Sequence, residues 1–117
     1  MGVHSYKELV VWQKSIALVK VIYELTKNFP RSEQFGVVSQ MRRAAVSIPS
    51  NIAEGYGRKS SKEYKQFYSI AYGSALELDT QLIICRELEL VSQTEYEKAE
   101  RLLSEVIKML YVMVYKK

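Results

Sequence analysis

The chain has 117 residues, 48% apolar and 26% charged, enough for one domain with its own core and too apolar for a disordered chain. Its single cysteine, Cys85, excludes an intramolecular disulfide, and CxxC pairs and Cys/His zinc spacings are missing, which fits a reducing, cytoplasmic setting. The net charge of +4 is uneven: residues 1–65 hold 11 basic and 5 acidic side chains, residues 66–117 hold 6 and 8, so the first half suits a phosphate-bearing partner.

The longest uncharged run, Gln66 to Leu76, falls well short of the ~20 apolar residues that span a bilayer, so no membrane partner is expected. The first residues pass straight to Lys7 and Glu8 without a signal-peptide core. Gly2 hints at myristoylation, but Tyr6 stands where that motif wants Ser or Thr.

Two prolines and five glycines are few for an all-β chain, and apolar residues recur at helical steps of three and four. The first helix is predicted from about Tyr6 to Asn28, with Leu9, Trp12, Ile16, Val19 and Tyr23 inward; Phe29-Pro30 ends it. The second is predicted to start near Ser32, a good N-cap, with Val37, Met41, Ala44, Ile48 and Ile52 inward. Pro49 interrupts it at a cost of ~3 kcal/mol, so the helix either kinks there or stops and restarts. The stripe stays in phase to Ile52, which favours a kink.

The third helix opens at Ser60, with Glu63 at capping-box spacing, and its stripe is Tyr64, Phe67, Ala71, Ala75, Leu78, Leu82 and Cys85. Ser92 and Glu95 form a second capping box for the fourth helix, whose stripe is Tyr96, Ala99, Leu103, Val106, Leu110 and Met113. The segment from Met109 to Tyr115 is apolar nearly all round, which suggests a subunit contact. Four helices with short links give an all-α fold: one domain over residues 1–117, an antiparallel up-down-up-down bundle with its second helix kinked near Pro49.

Catalytic constellations are missing. A di-iron bundle needs paired Glu-x-x-His motifs, and the only histidine is His4, which is poorly placed for a general base in a terminal tail. Cys85 has the spacing of a core residue, and buried thiols are inert. Nucleotide-binding glycine motifs are absent. No catalytic residue, metal ligand or cofactor is assigned, and an enzyme is not expected.

Two other features are richer than a bundle requires. Arg43, Ser47, Asn51 and Glu54 share one helix face, opposite Ser74, Glu77 and Gln81 on the third helix. They suggest a polar network in which Arg43 pairs with Glu77 or Glu54. Such a network would set helix register and a subunit seam. The second feature is the basic corner Arg58, Lys59, Lys62 and Lys65, with Tyr56, Tyr64, Tyr68 and Tyr72 nearby. Cations beside aromatic rings suit phosphate pairing and base stacking, although tyrosines at helical spacing also serve as packing.

The central block reads Gln40-x-Arg42-Arg43-Ala44-x-x-Ser47-Ile48-Pro49-x-Asn51-Ile52-Ala53-Glu54-Gly55, followed by Arg58. Leu9-Val10-Val11-Trp12 and Phe29-Pro30 precede it, and Ala71-x-Gly73-Ser74-x-x-Glu77-Leu78 follows. With these residues the chain resembles the small four-helix-bundle proteins encoded within intervening sequences of bacterial 23S ribosomal RNA genes. That family is similar to accessory proteins of diversity-generating retroelements, which form pentameric barrels and bind nucleic acid and a reverse transcriptase. The resemblance implies a homopentamer and carries over no catalytic residue.

Two functional readings follow. In the first, the chain is a non-enzymatic, oligomeric accessory protein that binds RNA or DNA, with Arg42, Arg58, Lys59, Lys62 and Lys65 on phosphates. In the second, it is a protein–protein adaptor or scaffold with no nucleic-acid role. An apolar seam along Tyr64, Tyr68 and Tyr72, or along residues 109–115, would mark the second.

Overall fold

The computed structural model describes residues 5–116; Gly2 and His4 lie outside the described residues. Four helices carry the chain: α1 (Val10–Thr26), α2 (Ser39–Tyr56), α3 (Ser61–Glu87) and α4 (Gln93–Tyr115). α2 packs on α1 and α3, and α4 packs on α3 and α1, which closes the bundle around one core.

Pairs across the seams run in opposite senses. Along α2 and α3, Met41 meets Cys85, Arg43 meets Glu77, and Ser47 meets Ser74. Along α3 and α4, Tyr72 meets Tyr111 and Tyr115 while Arg86 lies over Tyr96. Consecutive helices joined by short links can pack only this way. The result is a rod of 46 × 24 × 22 Å with two distinct ends.

The cores of α2, α3 and α4 follow their sequence stripes. Met41, Ala44, Ile48 and Ile52 are buried, as are Ala71, Ala75, Leu78, Leu82 and Cys85, and Ala99, Leu103, Val106 and Leu110. Residues at the stripe ends, such as Val37, Tyr64, Phe67, Tyr96 and Met113, are half-buried.

The stripe expected for α1 is displaced by about one residue. Val11, Ser15, Leu18, Ile22 and Thr26 are the buried positions, whereas Tyr23 is exposed and Trp12 and Val19 flank the core. α1 carries apolar residues on more than one face, so spacing alone does not choose the inner one. The aromatics cover seams: Trp12 meets Tyr6 edge-on, and Tyr23 lies under the Arg42 guanidinium.

Helix starts show two further differences. Tyr6–Glu8 is a separate 3-10 turn capped by Ser5, and Leu9 is extended before α1 begins. The Gln13 amide donates to the Lys7 carbonyl and ties that turn to the helix. Ser32 is not the cap of α2. It sits in a 3-10 turn, Arg31–Glu33, followed by a wide turn, Gln34–Val38, in which Gly36 leaves helical angles. α2 then runs from Ser39 to Tyr56 with Pro49 inside it, so the helix neither stops nor restarts at the proline.

The third and fourth helices begin where their caps predict. Ser60 Oγ accepts from the Glu63 amide, which is half of the expected box. Ser92 and Glu95 form both bonds of theirs.

Candidate nucleic-acid interface

The candidate residues fall into three groups. The first is a polar ladder on the α2–α3 seam. The Ser47 and Ser74 hydroxyls lie 2.9 Å apart, and Asn51 Nδ2 donates to the Ser47 carbonyl at 2.8 Å and to its hydroxyl at 3.0 Å. One turn further, Gln81 Nε2 donates to Glu77 Oε2 at 3.1 Å, and Arg43 Nη2 reaches the same oxygen at 3.5 Å. Of the two carboxylates open to Arg43, Glu77 is the one it meets. Glu54 pairs with Arg58 instead, one turn along α2.

The Arg43–Glu77 contact is mostly in water, with 69% of the arginine side chain accessible, so it adds little to stability. The serine–asparagine part is half-buried and holds the register of α2 on α3. Gln81 is buried, and its Oε1 has no hydrogen-bond partner among the described residues.

The second group is Arg42 alone. Its Nε donates to Thr26 Oγ1 at 3.0 Å and its Nη2 to the Tyr23 carbonyl at 3.3 Å, while the guanidinium lies 4.4 Å from the Tyr23 ring centre. The positive charge therefore sits on the last turn of α1, where a helix favours a cation. Arg42 is separated from Arg58 by most of α2, about 20 Å of helix rise. The structure does not bring it to the basic corner; it clamps α1 to α2.

The third group is the corner itself. Arg58 follows α2, Lys59 is in the turn, and Lys62 and Lys65 lie in the first turns of α3. Arg58 pairs with Glu54 and covers the Phe67 ring at 4.6 Å, so its charge is fixed in place. Lys59 and Lys62 are exposed, and no carboxylate pairs with them among the described residues. The start of α3 adds its own unpaired amides to this positive region, and both effects favour an anion.

The tyrosines named with the corner divide. Tyr68 is buried against Tyr64, 5.7 Å between ring centres. Burial, then Tyr64 and Tyr56, push its phenol above the ordinary value, so it stays protonated. Gly55 lets this contact form: a Cβ there would lie 2.6 Å from the Tyr68 ring. Tyr72 faces α4, where it meets Tyr111 and Tyr115 at 6.2 and 5.9 Å. Sequence reasoning placed Tyr111 and Tyr115 only within an apolar terminal segment. The signal available was their spacing with Lys108: residues 108, 111 and 115 share one face of α4.

Cys85 packs against Met41 in the core, and burial, with Glu33 adding, pushes its thiol up to about 11. At neutral pH it holds its proton and is a poor nucleophile. Among the described residues no cluster of three or more His, Cys, Asp or Glu side chains is placed to hold a metal ion. No helix among them is long and apolar enough to cross a membrane.

No curated protein matches the chain. A solved structure from Bacteroides thetaiotaomicron, a protein of unknown function from the S23 ribosomal protein family, superposes with a TM-score of 0.82. It is 24% identical and matches over 92% of this chain and 100% of its own, which supports the four-helix fold. The model of the 23S rRNA-intervening sequence proteins matches residues 7–112, nearly the whole chain, and the chain belongs to that family.

Proposed function

We propose that the chain is a non-catalytic accessory protein that binds RNA or DNA through one end of its bundle and works as a homo-oligomer in the cytoplasm. The observation that carries this reading is the corner at the start of α3. Lys59 and Lys62 are exposed and lack carboxylate partners among the described residues, Arg58 is held beside them, and Lys65 follows one turn on. Unpaired cations over a helix N-terminus are what a phosphate chain needs. Arg42, committed to α1, is left out of this surface.

Assembly has separate support. Gln66, Ser69, Gly73, Leu76, Thr80 and Ile83 form an exposed face of α3 without a single charge. A solvated helix face is rarely so neutral. A ring of five copies is the arrangement the retroelement likeness suggests, with a reverse transcriptase as one possible class of protein partner. The same neutral face favours the second reading, an adaptor that binds only protein.

Fluorescence anisotropy of labelled RNA and DNA at several salt concentrations separates the two readings. Phosphate binding by the four corner cations predicts a fall of affinity with salt, with a log–log slope of about −3. Absence of binding at low salt would leave the adaptor. Light scattering at micromolar concentration tests assembly, and a strict monomer removes the ring.

A further inference from the structure

We infer that the ligand of the basic end is a single-stranded polynucleotide, whose unpaired bases stack on a tyrosine shelf formed by Tyr72, Tyr111 and Tyr115. This rests on the nucleic-acid reading above and narrows it.

The shelf lies on the α3–α4 seam. Tyr111 and Tyr115 are 4.9 Å apart between ring centres, and both meet Tyr72. Tyr111 is 44% exposed and Tyr115 62% exposed, so ring surface remains open to a ligand. The surroundings are basic. α3 has no acidic residue from Tyr64 to Leu76, and the chain has none after Glu105. Lys65 stands two turns before Tyr72 on the same face of α3. Lys108 shares a face of α4 with both exposed tyrosines, and Lys116 follows Tyr115. The antiparallel packing of α3 and α4 brings Lys65, the three rings and Lys116 to the half of the rod that carries Arg58, Lys59 and Lys62, with Lys108 near mid-length.

Cations alone would serve a duplex as well as a single strand. Exposed rings would not, because a duplex keeps its base faces stacked on one another. Flat aromatic surface beside a phosphate track is the chemistry that holds unpaired bases, whatever their sequence. A face buried between two copies of the chain would instead have to desolvate the lysines around the shelf, and the carboxylate nearest Lys108 along α4, Glu105, is already paired with Lys14.

The test uses the intact protein with a labelled uridine or thymidine homopolymer of about 20 nucleotides, longer than one site of this kind occupies. A blunt mixed-sequence duplex of the same length is titrated alongside. Tyr111→Ala and Tyr115→Ala should each lower single-strand affinity roughly 10-fold. The salt slope and the duplex affinity should stay unchanged. Tyr115→Phe, which keeps the ring, should retain the affinity. A loss on the RNA strand, the DNA strand or both supports the shelf. Equal losses on single strand and duplex, or none on either, would overturn it while leaving the basic corner in place. So would a loss that comes with a fall in the mass seen by light scattering, since the shelf would then be a subunit seam. If the wild-type protein binds no strand at low salt, the parent reading falls and this inference falls with it.

Discussion

The two turns that bound α3 close in similar ways but differ in their charge and in how fully they cap the next helix. At its C-terminal end, the Leu90 amide reaches back to the Cys85 carbonyl at 2.9 Å and the Glu89 amide to the Arg86 carbonyl at 3.0 Å. This Schellman closure runs directly into the Ser92–Glu95 capping box, so the Cys85 and Arg86 carbonyls and the Ser92 and Glu95 amides all find partners in the chain. The turn at the N-terminal end closes α2 with the Gly57 and Arg58 amides, has a single side-chain cap, Ser60, and leaves Lys59 and Lys62 without a carboxylate partner among the described residues. One turn spends its polar groups on itself, and the other holds charge ready for something outside the chain. Inter-helix turns in one small bundle thus need not share a purpose.

Substitutions at each end can break or sharpen this contrast. The largest effect is expected from Gly55→Ala. The new Cβ would meet the Tyr68 ring at 2.6 and 2.8 Å and the Tyr64 carbonyl oxygen at 3.1 Å. Overpacking of this kind costs about 1–3 kcal/mol, and urea unfolding would show it. Because the clash lies under the basic corner, binding should weaken as well.

Ser92→Ala removes the cap at the other turn and should cost ~1 kcal/mol, with nucleic-acid affinity unchanged. A loss of binding in this variant would blur the division between the two ends. Glu89 is the one described non-glycine residue with positive φ, at 59°. Glu89→Gly should therefore stabilise the protein by ~1 kcal/mol, read as a higher urea midpoint at constant m-value.

The last effect concerns pH. The folded Cys85 thiol is pushed up to about 11 from an ordinary value of 9.0. Its contribution is complete below the unfolded thiol value and is lost as pH rises toward the folded one, so stability should decline between about pH 9 and 11. Cys85→Ala should flatten that decline between pH 9 and 10, and because both proteins carry the same tyrosines, their difference reads the thiol. An unchanged slope would remove the thiol as its source.

Much of the fold was legible because its signals are local. Ser92 and Glu95 sit three residues apart, and that spacing marks both capping bonds, of which the same spacing at Ser60 and Glu63 yields one. The stripes of α2, α3 and α4 run in phase with the buried positions, so periodicity finds the core, even though α3 and the end of α4 also expose apolar side chains. α1 has apolar residues around most of its circumference, and only packing against α2 and α4 selects Leu18 and Ile22 over Ile16 and Tyr23. The wide turn at Gln34–Val38 escaped for a related reason: Ser32 is a sound cap by composition, and nothing nearby marks the later start at Ser39.

The candidate site divides in the same way. Arg58, Lys59, Lys62 and Lys65 are close in sequence and were found together. Arg42 looked like a fifth cation, but its partners, Thr26 and Tyr23, are 16 and 19 residues away in the chain. Tyr72 joins Tyr111 and Tyr115 across some forty residues, a neighbourhood that only the folded bundle creates.

The most direct test of the account compares the two ends under one assay. Lys59, Lys62 and Lys65 are replaced together by alanine in one variant, and Lys27, Arg31 and Lys98, exposed at the opposite end, in another. Both lose three positive charges, and both are titrated into labelled single-stranded RNA at several salt concentrations. The account predicts that the first variant loses affinity and that its log–log salt slope flattens by about 2, whereas the second follows the wild type. Equal losses in both variants would mean that net charge alone attracts the strand, and would contradict a site at the start of α3.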